Sequence, residues 1–301
     1  MKMLSRVEKY LSHRRSLGYK LKTEGQMLLN FANYADDSGH RGPLNHEIAL
    51  RWSTLPSNAD RLYHARRLEV IRGFAKYQIS WEPKTQIPHR HILGPAHRRN
   101  TPHIYTAKQI HQLLKSAAFL SGDLRPLTYQ TLFGLLACCG LRISETLNIR
   151  VHEVDLQNGV ITISKSKYHQ SRFVPLHPSA ISPLKRYACQ RQLLFPAAEF
   201  FFVSDRGSRF AYSTVRTTFR QLTKDFTSNS GRRYVRLHDL RHTFACRVLL
   251  RWQQSKKGAQ GRIPILSRYL GHLSVTDTYW YLTAIPKLLT SAAKKFNPPS
   301  L

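Results

Sequence analysis

The chain of 301 residues has few acidic residues, few cysteines and no long apolar run, and each scarcity excludes a class of protein. Four cysteines without metal-ligand spacing predict neither a disulfide framework nor a metal site. No apolar run approaches the roughly 20 residues that a transmembrane helix needs. The first residues, MKMLSRVEKY, lack the apolar stretch of a secretory signal. We therefore expect a protein of the reducing cytoplasm with no membrane partner.

Acidic residues are so scarce that lysine and arginine dominate the charge of the chain. The sequence has 47 Lys and Arg against 17 Asp and Glu, which gives a formal net charge of +30. Such a charge needs a polyanionic partner, and nucleic acid is favoured because binding releases condensed counterions. An anionic membrane surface is the competing explanation. The basic residues, however, are spread through segments with globular patterning and do not line one amphipathic helix.

The N-terminal segment has the apolar spacing of a helical bundle. Apolar residues recur at helical intervals, as in Leu68, Ile71 and Phe74. This pattern predicts four helices, over Leu4–Leu17, Lys22–Tyr34, His46–Trp52 and Asp60–Ile79. Their outer faces carry candidate contacts to a phosphate backbone: Arg14, Arg15, Arg61, Arg66, Arg67 and Arg72.

The composition changes after this predicted bundle. Residues 83–103 contain four prolines among basic residues and predict an extended, positively charged linker. Thr106 can then cap the first helix of a second domain. We predict a helical domain over residues 1–82, a linker over 83–103 and a second domain over 104–301.

A switch from helical to alternating spacing marks a small sheet in the second domain. Val154–Leu156 and Val160–Ile163 flank Asn158-Gly159, a dipeptide that favours a tight hairpin turn. Arg172–Leu176 can return as a third strand. Because helices are predicted on both sides, the expected fold class is mainly α with a small antiparallel β-sheet (α+β).

Two segments combine arginine with a helix boundary. A buried helix ends at Gly140, and Arg142 follows at the turn, either as a functional residue or as a surface arginine paired with Glu145. The second segment reads His238-Asp239-Leu240-Arg241-His242. His238 and Arg241 lie three apart, so on a helix both side chains can reach one phosphate.

Other segments extend this pattern along the chain. A loop between the second and third predicted strands carries two lysines, Lys165 and Lys167. Gly271 is typical of a helix stop, after which His272 can point back towards the second arginine segment. The helical segment that follows contains Tyr281.

In this order the segments resemble the tyrosine recombinases, also called the phage integrase family. The resemblance covers the second domain from about Tyr105 to Phe296. The matching segments are Cys139–Glu145, Lys167 ahead of Arg172–Leu176, His238–Thr243, Leu270–His272 and Tyr281. The helical first domain and the linker resemble the family's core-binding domain and DNA clamp by their arrangement alone.

The resemblance implies DNA strand exchange through a covalent 3′-phosphotyrosine on Tyr281. Arg142 and Arg241 would hold the equatorial phosphate oxygens, which carry more charge in the five-coordinate transition state. The acids inside the boxes, Glu145 and Asp239, are interpreted as structural partners, whereas a two-metal nuclease needs clustered carboxylates. No metal, ATP or other cofactor is expected.

Proton transfer is assigned to the remaining members of the set. His238 would act as the base or share the proton of the nucleophile, and His272 would orient a phosphate oxygen. Lys167 would protonate the departing 5′ oxygen. Lys165 is the rival to Lys167, and alignment on Val174-Pro175-Leu176 favours Lys167.

The nucleophile also has a rival. Residues two apart on a helix point about 200° away from each other, so only one of Tyr279 and Tyr281 can face the site. Family spacing favours Tyr281. The sequence departs from the family in its longer stretch before His272, where the polar residues 251–258 predict an exposed loop.

The expected partner is double-stranded DNA, held in a C-shaped clamp of the two domains. The resemblance implies a homotetramer across two DNA sites, with accessory DNA-binding proteins or partner recombinases, and service to a mobile element in integration, excision or transposition. The tail after Pro286 would dock on the next protomer. The expected location is the cytoplasm, in association with the nucleoid.

Other functions fit part of the sequence. A type IB topoisomerase or a telomere resolvase would share the cleavage chemistry, and a catalytically silent DNA-binding regulator would share the fold. A basic protein that binds RNA or a membrane surface would account for the charge. It would not account for the ordered boxes.

Overall fold

A computed structural model describes residues 2–97, 101–164, 171–226, 234–255 and 261–283 of the chain. The fold is mainly helical with one three-stranded antiparallel sheet, which confirms the predicted fold class. The chain divides into two compact units, Met1–Asn100 and Thr101–Leu301. Among the described residues, no helix is long and apolar enough to cross a membrane.

The N-terminal unit contains four helices close to the predicted ranges: α1 (Met3–Ser16), α2 (Lys22–Asp37), α3 (His46–Thr54) and α4 (Arg61–Gln78). Side-chain caps fix two of their starts, because Asn45 accepts from the backbone of Ile48 and Asp60 from that of Leu62. The helices enclose one core, whose fully buried members include Leu11, Leu28, Phe31 and Phe74. The periodic apolar residues therefore face one another, as the spacing predicted.

One arginine of this unit departs from the prediction of a basic outer face. Arg67 is buried, its guanidinium lies 3.5 Å from the ring centroid of Trp52, and it donates to the Trp52 carbonyl at 2.6 Å. The expectation that Arg67 is an outward phosphate contact is therefore wrong. The face of the indole ring offers this cation a partner inside the bundle.

Part of the predicted linker packs on this unit. The backbone of Gln86 donates to the carbonyl of Leu44 at 2.8 Å, and Thr85 is buried. Ile87 and Leu93 pack against the core of the unit.

The second unit begins with two helices, α5 (Ala107–Ala118) and α6 (Arg125–Cys139). Thr106 caps α5 as predicted, within a reciprocal capping box with Gln109. A short helix, α7 (Ile143–Thr146), follows α6. Tyr129, Leu132, Phe133 and Leu136 of α6 are buried in the main core of this unit.

The sheet consists of β1 (Val154–Asp155), β2 (Val160–Ile163) and β3 (Arg172–Pro175), in the order β1-β2-β3. The predicted turn joins β1 to β2, and the carboxylate of Asp155 accepts from the backbone of Gln157 and Asn158. Between β2 and β3, Ile161 pairs with Val174 and Ile163 pairs with Arg172. The inward residues Ile161 and Val174 are fully buried, so the sheet packs one face on the core.

The remaining helices are α8 (Pro178–Leu194), α9 (Tyr212–Leu222), α10 (Asp239–Gln254), α11 (Ile263–Leu270) and α12 (Thr276–Thr283). The prediction of a loop from Arg251 is wrong for its first residues, because α10 continues through Gln254. Trp252 packs on a small core beside Leu249, and this three-residue spacing keeps both on one helix face. Residues 256–258 of the predicted loop lie outside the described residues.

Candidate active site

The first arginine box is built on the glycine that ends α6. Gly140 has φ of 61°, in the left-handed region, and its backbone N–H donates to the Leu136 carbonyl. A Cβ at this position would collide with the ring of Phe244, so both the conformation and the space require glycine. The turn brings Arg142 to the N-cap of α7.

Arg142 is held by a carboxylate and by a backbone carbonyl. Its Nη1 donates to Oε1 of Glu145 at 2.8 Å, and its backbone N–H donates to Oε2 of the same residue at 3.1 Å. Its Nη2 donates to the carbonyl of Gly271 at 2.7 Å. Arg142 therefore does pair with Glu145, as the surface interpretation expected, but it also bonds the turn that carries His272.

A second arginine, Arg172 of β3, shares the carboxylate of Glu145. Its Nη2 donates to Oε2 at 2.7 Å and its Nη1 to Oε1 at 3.2 Å, while its Nε donates to the carbonyl of Tyr269 at 2.8 Å. Burial alone would raise the pKa of Glu145. The hydrogen bonds and charges of Arg172 and Arg142 outweigh it and hold the pKa below its ordinary value.

Sequence reasoning placed Arg172 on a strand but gave it no functional role. A signal was present, because residues two apart on a strand face the same side and Val174 is an obvious inward residue. An arginine on the inward face needs a buried partner. The pattern could not identify Glu145 as that partner, since the two residues are far apart in sequence.

The second box opens α10. Asp239 is buried and accepts from the guanidinium of Arg236, with the shortest contact at 2.6 Å. The hydroxyl of Thr243 donates to the Asp239 carbonyl and accepts from the backbone N–H of Tyr105. Asp239 is thus a structural partner, as predicted, although it serves Arg236 and not Arg241.

Arg241 extends from the first turn of α10 into the interior, where it is 2% exposed. Its Nη1 donates to the carbonyl of Gly140 at 2.9 Å and its Nη2 to the carbonyl of Leu270 at 2.7 Å. The pKa of Arg241 is lowered to about 10, mainly by burial; the charge of Arg142 acts in the same direction and Tyr281 in the opposite one. Besides these two carbonyls, Arg241 interacts through a side-chain hydrogen bond with Tyr281.

Each box arginine therefore donates to the end of a helix that lies close to the other box arginine. Arg241 bonds Gly140, two residues before Arg142. Arg142 bonds Gly271, which directly follows Leu270, the acceptor of Arg241. The carbonyl ends of helices attract positive charge, which favours this crossed arrangement.

Three histidines surround the arginines and are all neutral at ordinary pH. Burial is the main cause in each case, and neighbouring positive charges add to it: the pKa of His238 falls to about 4, and those of His242 and His272 to about 3. The Nδ1 of His272 lies 2.8 Å from the hydroxyl of Thr278. The buried Nδ1 of His242 has no hydrogen-bond partner within the described residues.

Tyr281 lies in this group of histidines. Its ring is 3% exposed, with its centroid 5.3 Å from that of His242 and 5.9 Å from that of His272. Burial raises its pKa, and the positive charge of Arg241 acts in the opposite direction. Tyr279, the rival nucleophile, is 49% exposed, so only Tyr281 faces the histidines and Arg241.

The structure brings together five of the six predicted site residues: Arg142, His238, Arg241, His272 and Tyr281. His242 joins them, with its ring centroid 4.8 Å from that of His238, although sequence reasoning gave it no role. Its place directly after Arg241 was the available signal. Lys167 and its rival Lys165 lie outside the described residues, as does the tail after Pro286. The described residues contain no group of His, Cys, Asp and Glu suited to a metal ion.

Sequence comparison places the second unit among known proteins. Residues 104–286 match the model of the phage integrase family. The chain is 36% identical to a Sinorhizobium fredii protein with the provisional name integrase/recombinase y4rB, over 97% of this chain and 96% of that protein. It is 23% identical to the tyrosine recombinase XerC of Leptospira interrogans, over 79% of this chain and 73% of that protein.

Solved structures share the fold at lower identity. The Tn1549 transposon integrase in complex with transposon right end DNA aligns with a TM-score of 0.73 at 17% identity, over 99% of this chain and 100% of that chain. The XerH site-specific recombinase in a post-cleavage complex with its difH substrate aligns with a TM-score of 0.67 at 19% identity, over 98% of this chain and 85% of that chain.

Proposed function

The chain belongs to the phage integrase family, and from that membership we propose that it cleaves and rejoins DNA through a covalent 3′-phosphotyrosine on Tyr281. The protein is a site-specific DNA recombinase by family. The observation that carries the proposed mechanism is the position of Tyr281, buried against His242 and His272 and within the field of Arg241. A tyrosine there can reach an oxyanion held by the two box arginines.

In the cleavage step, the Tyr281 oxygen attacks the phosphorus of one DNA strand. The bond from phosphorus to the 5′ oxygen breaks as the bond to tyrosine forms, and the departing oxygen takes a proton. Arg142 and Arg241 donate to the equatorial oxygens of the five-coordinate transition state, where the negative charge is larger than in the substrate. Lys167 is our candidate for the proton donor, as predicted from the sequence.

The histidines suit the proton transfers that the nucleophile needs. A neutral His238 has a free lone pair that can accept a proton from Tyr281 directly or share it by a hydrogen bond. The hydroxyl of Thr278 occupies Nδ1 of His272, which leaves its other ring nitrogen for a phosphate oxygen.

Rejoining reverses the same steps. The phosphotyrosine conserves the energy of the phosphodiester bond, so a 5′ hydroxyl of a second strand can attack it and release Tyr281. We propose that the cycle therefore needs neither ATP nor a metal ion, since the box arginines supply the positive charge that a two-metal enzyme takes from its ions.

The partners proposed for the chain follow its relatives. Neighbouring structures contain recombinases on transposon DNA, on difH and, for lambda integrase, as a tetramer on a Holliday junction. We propose double-stranded DNA as the substrate, a homotetramer across two sites, and service to a mobile element in the nucleoid. The net charge of +30 supports DNA affinity that falls steeply with salt.

The test is a suicide-substrate assay. The protein is incubated with a nicked duplex that carries a candidate site from the DNA flanking its gene, with chelator in every tube. We expect an adduct that survives denaturation with the wild type and with Tyr279→Phe, and none with Tyr281→Phe. Tyr281→Phe is a fair control because it keeps the buried ring and removes only the hydroxyl.

Three results would contradict the proposal. An adduct that persists in Tyr281→Phe would exclude this residue as the nucleophile. Salt-sensitive binding to the same duplex without any adduct would favour a silent DNA-binding regulator on this fold. An adduct that forms only without chelator would overturn the metal-independent mechanism.

A further inference from the structure

Arg172 contacts the same two structural features as Arg142. Both arginines donate to the carboxylate of Glu145, Arg142 at 2.8 Å and Arg172 at 2.7 Å. Both also donate to backbone carbonyls at the end of α11, Arg172 to Tyr269 and Arg142 to Gly271. The side chains of Arg142, Glu145 and Arg172 and the end of α11 therefore form a closed set of hydrogen bonds.

From this closed set we infer that Arg172 is a positioning residue for Arg142, and that it also keeps the charge of Arg142 available for phosphate. The inference rests on the proposed function, because it assigns a role to Arg172 in DNA cleavage. Arg172 acts through Glu145 and does not itself need to touch the DNA.

The hydrogen bonds of Arg172 favour positioning over direct phosphate contact. Each of its three guanidinium nitrogens already donates to a partner, Nε to a carbonyl and both Nη atoms to Glu145. Its side chain is 11% exposed and that of Glu145 is 7% exposed. A bidentate pair at such burial fixes both side chains in one geometry.

The space around Gly271 makes the arrangement specific. A Cβ at Gly271 would lie 2.8 Å from Nη1 of Arg172 and 3.3 Å from Nη1 of Arg142. The two guanidiniums therefore flank the same backbone position closely. A movement of either one would be transmitted to the other through Glu145 or through this turn.

Charge balance gives Arg172 its second role. If Arg142 alone faced Glu145, the carboxylate would neutralise it and weaken its attraction for an anion. With Arg172 present, one negative charge is shared between two positive charges. The field of Arg241 also reaches Glu145, so among the residues that the structure describes this carboxylate faces Arg142 at the N-cap of α7, Arg172 on β3 and Arg241 on α10.

The experiment measures the single-turnover rate of phosphotyrosine formation with saturating protein. Arg172→Met removes the charge and the hydrogen bonds, and we expect a loss of about 10- to 100-fold, as for misplaced catalytic groups. Arg172→Lys keeps the charge without the bidentate geometry and should lose less, about 3- to 10-fold. The matched control is Arg268→Met, which removes an exposed arginine of α11 and should leave the rate unchanged.

The pH dependence separates positioning from a general loss of structure. Loss of Arg172 removes the largest influence that keeps Glu145 ionised, so the pKa of Glu145 should rise in Arg172→Met. The rate of Arg172→Met relative to wild type should then fall as the pH is lowered from about 8 to about 5.5. Adding Glu145→Gln to Arg172→Met should abolish that slope, because no carboxylate remains to titrate.

Several outcomes would overturn the inference. Rates for Arg172→Met equal to wild type, or a ratio that does not change with pH, would leave Arg172 with a structural role at most. If Arg172→Met does not fold by circular dichroism, Arg172→Lys carries the test, and a wild-type rate in it would reject the requirement for bidentate geometry. Absence of adduct with the wild type would instead overturn the proposed function itself, and the inference with it.

Discussion

The two arginine boxes hold their arginines in different ways. Arg142 lies partly exposed and shares the carboxylate of Glu145 with Arg172. Arg241 is almost completely buried; it donates to the carbonyls of Gly140 and Leu270 and interacts with the side chain of Tyr281. The acid of the second box, Asp239, does not pair with Arg241.

This difference shows where a negative charge is most needed. Burial of Arg241 lowers its pKa, and the fields of Tyr281 and Glu145 offset that desolvation only in part, since desolvation of a charge is costly without a directly paired opposite charge. A phosphate would supply that charge at Arg241. At Arg142 a carboxylate already does so in part, and the box depends on a third group to prevent full neutralisation.

The largest expected effect separates the two arginines directly. Arg241→Lys loses the fork that reaches two carbonyls from a buried position, and we expect cleavage to fall by about 100- to 1000-fold. The loss of cleavage in Arg142→Lys should be about 10-fold smaller, because Arg142 is more exposed and a lysine there can retain the contact to Glu145. Single-turnover adduct formation measures both. Equal losses would remove the distinction between the boxes.

The helix-ending glycines test the crossed hydrogen bonds. Gly140→Ala introduces a collision with Phe244, and Gly271→Ala introduces a close contact with Arg172. Both variants should displace the arginines that these turns hold and lower the rate of adduct formation by roughly 10- to 100-fold. Both should also lose at least about 1 to 2 kcal/mol of unfolding free energy, from the left-handed backbone alone.

Two other glycines serve as controls for that experiment. Gly39 has φ of 71° with no atom near its missing Cβ, so Gly39→Ala should show the backbone cost without a loss of cleavage. Gly134 lies inside α6 with space for a methyl group, and Gly134→Ala should be neutral or stabilising. A similar loss of cleavage in Gly39→Ala and Gly271→Ala would mean that strain, and not the arginine contacts, limits the enzyme.

Substitution of the acids in the two boxes should have different effects: loss of Asp239 should lower stability, and loss of Glu145 should slow cleavage. Asp239→Asn weakens the pair with Arg236 and should cost about 1 to 3 kcal/mol of stability with little change in the cleavage rate of the folded protein. Glu145→Gln should slow cleavage by about 10-fold, because it loosens Arg142. Urea denaturation and the adduct assay, run on both variants, measure the two effects separately. A slower cleavage by folded Asp239→Asn than by Glu145→Gln would contradict this assignment.

The smallest expected effect is a difference in pH dependence. His238 and His242 of the second box titrate at about 4 and about 3 when folded, against roughly 6.5 when unfolded. Between these values the unfolded chain binds more protons, so the free energy of unfolding should fall as the pH drops from about 6.5 towards 4. Glu145 of the first box has a lowered pKa, so it adds to this loss of unfolding free energy only when the pH falls below about 4.3. His242→Phe should make the slope between pH 6.5 and 5 shallower, and an unchanged slope in urea titrations would contradict the assignment.

The sequence was sufficient for most of the fold because its local signals agree. Apolar spacing located the helices of the N-terminal unit, Thr106 marked the start of α5, and Asn158-Gly159 marked the hairpin. The failures were residues whose environment depends on tertiary contacts. Arg67 is buried because Trp52 lies opposite it, and α10 continues to Gln254 because Trp252 packs on a core that residues of α11 and α12 complete.

Only the site residues that lie within the ordered motifs could be predicted from the sequence. Spacing identified the boxes and favoured Tyr281 over Tyr279, and the structure turns only Tyr281 inward. Spacing could not show that Arg241 depends on Gly140, since this contact joins residues 101 positions apart. The role inferred for Arg172 was hidden for the same reason, because its partner Glu145 comes from another element.

The ring of Tyr281 is also part of a small hydrophobic core with Leu249, Leu266 and Leu270. Truncation to alanine would open a cavity and cost about 3 to 5 kcal/mol, a large share of the stability of a typical domain. A defect in Tyr281→Ala would therefore report on packing as much as on chemistry. At 3% exposure, Tyr281 is also shielded from small electrophiles in the solvent.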